Sequence, residues 1–249
     1  MALLMMLYQV GGIFLIFLFN SLVNSHHLCD PKQSLALWEF KKAFSLDESA
    51  SIIWNDELKK QAYPKTETWN QTNDCCSWDG VQCDEEGEGH VVGLDLSCSW
   101  LTGILHPNST LFSLSHLQTL NLSRNSILSE FSPSFGTFKD LRALDLSSSL
   151  ITGDVPMEIS YLSKLVSLDL SWNDLNMSRI VMNQLLHNLT NLRDLALSHV
   201  RLHDITPASF INISLSIASL SLSSSGLSGD FPQHIFSLPN LRVLQLIEI

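Results

Sequence analysis

The chain has 249 residues, 45% hydrophobic and 16% charged, and its 14 Lys and Arg against 25 Asp and Glu leave a net charge of −11. An acidic composition with no basic cluster excludes nucleic acid as the expected partner. The length allows one or two domains.

Residues 1–25 come first and stand apart. Met1 to Ser25 carries no charge, and Gly11 to Val23 is almost wholly apolar. A short apolar run followed by small residues reads as a secretory signal peptide, cut after Ser25. The alternative is a membrane anchor, because the stretch approaches the roughly 18 residues that span a bilayer. The signal peptide is favoured, since five cysteines suited to an oxidising compartment follow it: Cys29, Cys75, Cys76, Cys83 and Cys98. No second stretch of spanning length occurs, so no membrane span is expected after cleavage. Asn70, Asn108, Asn121, Asn176, Asn188 and Asn212 each open an Asn-x-Ser/Thr sequon, which points to a glycosylated, extracellular chain.

Residues 26–90 read as an N-terminal cap. Asp30-Pro31 starts a helix, with Asp as N-cap and Pro at the first helical position. Leu35, Leu37, Trp38, Phe40 and Phe44 are expected to form its apolar face. Trp54, Trp69 and Trp78 are expected to cover the open end of the segment that follows. Four cysteines belong to this region and allow three pairings; Cys98 is left over, at a position expected to be exposed. The acidic run Asp84-Glu85-Glu86-x-Glu88 lacks the spaced oxygen ligands of a Ca²⁺ site and reads as a solvated turn. Neither a metal nor a cofactor is expected.

Residues 91–249 carry the decisive pattern. A Leu-x-x-Leu-x-Leu phrase, with Val91 and Ile217 in place of the first leucine in two copies, places its fourth-position leucines at 94, 120, 144, 168, 195, 220 and 244. Their spacing of 24–27 residues is that of a leucine-rich-repeat solenoid, an α/β fold with one short parallel strand per turn. No turn can bury its own leucines, so each stacks on the next and the first needs a cap. About six complete repeats and a truncated seventh fit. Leu101-Thr-Gly103, Ile151-Thr-Gly153-Asp-Val155-Pro156 and Leu227-Ser-Gly229-Asp-Phe231-Pro232 supply glycine for a tight turn and proline for an extended convex path. Ile159, Leu162 and Leu165, and likewise Ile235, Leu238 and Leu241, close their turns. Asn125 and Asn173 stand where an inward amide can bond the backbone of adjacent turns. Ser99, Ser149 and Ser225 can do this only partly and Val200 cannot, so those turns are expected to be weaker.

In such repeats the positions around the strand leucines face a concave surface. They are Arg124, Arg142, Asp145, Asp169, Trp172, Arg193, Asp194, His199 and Arg242, the expected ligand-binding set. Trp172 is the leading anchor, because tryptophan is enriched at binding hot spots. Asn121 projects from the same face, where a glycan would block part of the groove. No catalytic residue is expected: the histidines are dispersed, and no nucleophile elbow, zinc-protease or phosphate-loop motif occurs. The serine runs 147–149 and 223–225 read as surface positions.

Cys29-Asp30-Pro31, Trp69-Asn70, the run Asp74-Cys75-Cys76-Ser77-Trp78-Asp79-Gly80-Val81-Gln82-Cys83, and His90 through Cys98 closely resemble plant leucine-rich-repeat receptor-like proteins. The resemblance implies that Cys29 pairs with Cys75 and Cys76 with Cys83. It also implies an extracellular ectodomain, followed in the family by more repeats, one membrane helix and a short tail without a kinase. This sequence stops inside a repeat, where Ile247-Glu248-Ile249 replaces the expected Ser-x-Asn. The chain thus reads as the N-terminal part of a receptor, and its last repeat is expected to be frayed or sticky.

The function implied is recognition of a peptide or protein ligand in defence or developmental signalling, through a co-receptor kinase, at the plasma membrane. Two alternatives stay open: a soluble inhibitor of microbial cell-wall enzymes similar to the polygalacturonase inhibitors, and a truncated product without function.

Overall fold

The computed structural model describes residues 28–52, 62–84 and 89–248. The expected signal peptide, Trp54, the acidic residues Glu85, Glu86 and Glu88, and Ile249 lie outside these segments.

Seven parallel strands follow one another in chain order: Val91–Asp95, Thr119–Asn121, Ala143–Asp145, Ser167–Asp169, Asp194–Ala196, Ser219–Ser221 and Val243–Gln245. Their fourth-position leucines align, Leu94 beside Leu120, Leu120 beside Leu144, and so on to Leu220 beside Leu244. One repeat in sequence is therefore one step of the sheet. An antiparallel strand, Val81–Cys83, closes the edge next to Val91–Asp95. The leucines up to Leu220 are buried in a core that runs on from the cap. Leu244 and Leu246 stay half-buried, because no described turn follows to cover them.

The strands are short because each repeat turns at the same place. Four residues after each strand leucine, Cys98, Arg124, Ser148, Trp172, His199, Ser224 and Glu248 all have φ between 51° and 64°. None is glycine, so each carries a steric cost of about 1–2 kcal/mol. A compensating bond recurs: the N–H of each of the first six donates to the carbonyl just before its counterpart in the next repeat, as Trp172 N–H does to Ser198 at 2.9 Å.

Below these turns the asparagine ladder forms. Asn173 Oδ1 accepts from the N–H groups of Ser149 and Ile151, and its Nδ2 donates to the carbonyls of Leu146, Leu170 and Ser171. Asn125 does the same one repeat pair earlier, for Ser99, Leu101, Leu96, Leu122 and Ser123. Ser149 reaches only carbonyls, those of Leu122 and Ser147. Val200 is fully buried.

The convex returns are 3-10 turns, Thr110–Ser113, Pro133–Thr137, Met157–Tyr161, Pro207–Asn212 and Gln233–Ser237. The longest repeat instead holds an α-helix, Arg179–Asn188, capped by Ser178 on the Val181 N–H. On the lateral side, Gly153 and Gly229 take φ of 92° and 107°, as their turns require. Gly103 serves a different need: a Cβ there would lie 2.5 Å from the Ala43 carbonyl, where the cap strand Phe44–Leu46 pairs with Leu101–Gly103.

In the cap, the helix Pro31–Lys41 begins at Asp30, whose carboxylate accepts from the N–H groups of Lys32 and Gln33. Its buried face is Gln33, Ala36, Leu37 and Phe40. The expected apolar face needs correction. Leu35 is exposed, two positions from Leu37 and so on the opposite side of the helix, and Phe44 lies beyond the helix in a strand. Buried Gln33 ties helix to sheet, Oε1 accepting from Val91 N–H at 2.7 Å and Nε2 pairing with His90 Nδ1. Trp69 and Trp78 are buried and stacked, centroids 5.0 Å apart. Disulfides join Cys29 to Cys75 and Cys76 to Cys83.

Cys98, expected to be exposed, is free but buried. The cap returns over the first repeat at this point, with Tyr63 N–H bonded to the Cys98 carbonyl. The serine runs also differ from their expected surface placement. Ser147, Ser148, Ser149 and Ser225 are buried, and Ser223 and Ser224 half-buried, because adjacent turns close over the strand ends.

Candidate ligand-binding face

Four positions of the repeat supply the nine candidate residues. Arg142, Arg193 and Arg242 stand just before a strand and Asp194 opens one; Asp145 and Asp169 end strands; Arg124, Trp172 and His199 occupy the left-handed turn. All lie on the sheet side, where alternation turns the strand leucines inward and their neighbours outward.

The structure brings four of them together. Arg124, Asp169, Trp172 and His199 line one hollow of about 760 Å³. Trp172 is 54% exposed and lies against His199, ring centroids 3.6 Å apart. Arg193, Asp194 and Arg242 line a second, smaller hollow of about 320 Å³. Arg142 and Asp145 line neither of these two. Arg142 is exposed at its strand entry, and Asp145 lies beside Asp169 in strand register.

The strand-end carboxylates have a structural task. Asp145 Oδ1 accepts from the N–H and hydroxyl of Ser147 at 2.9 and 2.7 Å, and Asp169 Oδ1 from the Ser171 N–H at 2.9 Å. Burial, together with the neighbouring charge of Asp145, raises the Asp169 pKa above the usual carboxylate range, against the opposing bonds from Ser171 and the Arg124 charge. At Asp95 the balance is reversed. Burial pushes its pKa up, but the bonds from Ser97 and the Lys65 ammonium, 3.1 Å away, outweigh it and hold the carboxyl low.

Sequence reasoning missed the floor of the larger hollow, which includes Ser171, Ser198, Ser219 and Ser221. Here Ser198 and Ser221 share a 2.7 Å hydroxyl bond, and Ser221 donates to Gln245 Oε1. The available signal was a change within one column: Asp95, Asn121, Asp145 and Asp169 give way to Ala196, Ser221 and Gln245 at the equivalent strand ends. Small residues widen the groove where the tryptophan stands. The four cap cysteines, whose sulfurs lie within 4.8 Å of one another, are consumed in disulfides and so are not metal ligands. No described helix is long and apolar enough to cross a membrane.

The family described as Leucine rich repeat matches residues 115–175. Receptor-like protein 9DC1 of Solanum pimpinellifolium is 44% identical over 238 residues, covering 93% of this chain and 27% of that protein. The chain belongs to the plant leucine-rich-repeat receptor-like proteins. This receptor-like chain spans about a quarter of the length of such relatives. Among solved structures it is similar to the ectodomain of the Arabidopsis thaliana membrane receptor kinase GASSHO1/SCHENGEN3 in complex with CASPARIAN STRIP INTEGRITY FACTOR 2. That match has a TM-score of 0.63 and 27% identity, over 86% of this chain and 24% of that one. A plant ice-binding protein is similar too, with TM-score 0.67 and 29% identity over 87% of this chain and 63% of its own. Among these neighbours one solenoid binds CASPARIAN STRIP INTEGRITY FACTOR 2 and another binds ice, so the function of this receptor-like chain has to be argued from its own face.

Proposed function

We propose that this chain is an extracellular recognition surface that binds a peptide or protein ligand in the hollow around Trp172, and that it signals in defence or development with a partner kinase. The observation that carries the reading is a half-exposed indole above a floor of small hydroxyl residues, beside a raised carboxyl, on a pre-formed sheet. A ligand side chain can cover the indole while its backbone bonds to serine hydroxyls, and a rigid solenoid keeps the ordering cost low. Support comes from the family and from GASSHO1/SCHENGEN3, an ectodomain of the same fold that is bound to a factor.

The test is selection of peptides from a random library on the secreted chain, followed by titration of the enriched peptides against Trp172→Ala. Hot-spot truncation is expected to weaken binding by about tenfold or more. Equal affinity for both proteins would remove Trp172 as the anchor.

A further inference from the structure

Of the six sequon asparagines, only Asn121 stands on the concave sheet. Asn70 lies in a cap turn, Asn108 ahead of a convex 3-10 turn, Asn176 in a lateral strand, and Asn188 and Asn212 at the ends of convex helical segments. Asn121 ends the strand Thr119–Asn121, between Asp95 and Asp145 on the adjoining strands.

Its amide is already oriented. Oδ1 accepts from the N–H and the hydroxyl of Ser123 at 3.0 and 2.7 Å, the same arrangement that Asp145 makes with Ser147. Nδ2, the atom that carries a sugar, makes no hydrogen bond among the described residues, and Asn121 is only half-buried. Asn176 shows the opposite case: its Nδ2 donates to Asp154 at 3.2 Å and its Oδ1 accepts from Arg201 at 2.8 Å.

We propose that Asn121 carries an N-linked glycan that rises from the concave face and covers the sheet from Val91 to Asp145, leaving the strands from Ser167 onward as its open part. In the attachment step the Asn121 amide nitrogen bonds to the anomeric carbon of a lipid-linked oligosaccharide donor. The lipid diphosphate leaves, and one amide N–H proton is lost. The serine bonds stay in place, because Oδ1 makes them, and Nδ2 has no hydrogen bond among the described residues to give up. That ligand contacts then concentrate around Trp172 rests on the ligand-face reading above. The glycan and its coverage do not.

The experiment uses the whole chain secreted from plant cells. Glycosidase release in heavy-oxygen water, followed by peptide mass spectrometry, should convert Asn121 to isotopically marked aspartate. Recovery of the peptide with unmodified Asn121 overturns the proposal. Coverage is read with Asn121→Asp, which keeps the serine bonds as Asp145 does and removes the sugar. Phenylglyoxal modification of Arg142, taken relative to Arg242, should rise several-fold in this variant. An unchanged ratio overturns the covering role, whatever any ligand does at Trp172.

Discussion

Asp169 is partly buried at its strand end with Asp145 beside it, and the raised pKa that burial and then the neighbouring charge produce has a measurable consequence for stability. A carboxyl whose pKa is raised by folding is penalised in its charged form. The penalty is absent below the unfolded value of about 3.9 and grows as pH rises through the folded value. Asp169→Asn should therefore melt at a higher temperature than the parent near neutral pH and lose this advantage in acid. Asn121 already shows that an amide oxygen can take the serine bonds in this position. A gain that persists unchanged to low pH would refute the argument. Lys65 and Asp95 make a second pair with unequal members, since Lys65 is buried and the Asp95 side chain is half exposed. Asp95→Ala strands a buried ammonium and costs about 2–3 kcal/mol, whereas Lys65→Met leaves a carboxylate that water can solvate and costs less. Denaturant titration of both variants checks the order.

The repeat turn is the element that shapes this molecule, and it is held from two sides. Backbone bonds tie each left-handed residue to the next turn, and Asn125 and Asn173 gather five groups each beneath. Replacing Asn173 by alanine leaves the Ser149 and Ile151 amides without their acceptor in a buried place, at a cost of about 2–4 kcal/mol for the whole cluster. Amide exchange should quicken at Ser149 and Ile151 in the variant, with Ser99 and Leu101, served by Asn125, unchanged. Equal exchange at all four would mean that the ladder does not act turn by turn. The left-handed position itself was not legible in the sequence. Its occupants are Cys, Arg, Ser, Trp, His, Ser and Glu, none of them the glycine or asparagine that would mark positive φ. The hydrogen bonds that stabilise it belong to the next repeat and are absent from any isolated turn.

At the scale of the whole molecule, cap and repeats share one continuous core, so fastening the cap fastens the first strands. The disulfide Cys29–Cys75 closes a separation of 46 residues and Cys76–Cys83 one of 7. By loop entropy these contribute about 4 and about 2.4 kcal/mol. Serine replacement of the Cys29–Cys75 pair should thus lower the denaturant midpoint more than replacement of the Cys76–Cys83 pair. The reverse order would show that local geometry, rather than chain entropy, governs the cap.

The sequence alone determined the solenoid, the step of each strand, the inward leucines and the two asparagine ladders. Each depends on a period that recurs down the chain and is counted without knowing any contact. The concave placement of the candidate residues follows from the same period. Only the tertiary structure decided that Cys98 is buried under the returning cap. It alone showed that Trp172 leans on His199, and that a serine floor widens the groove beside them. These are contacts between segments tens of residues apart. Their energies are set by what the neighbouring turn presents, which no single repeat encodes.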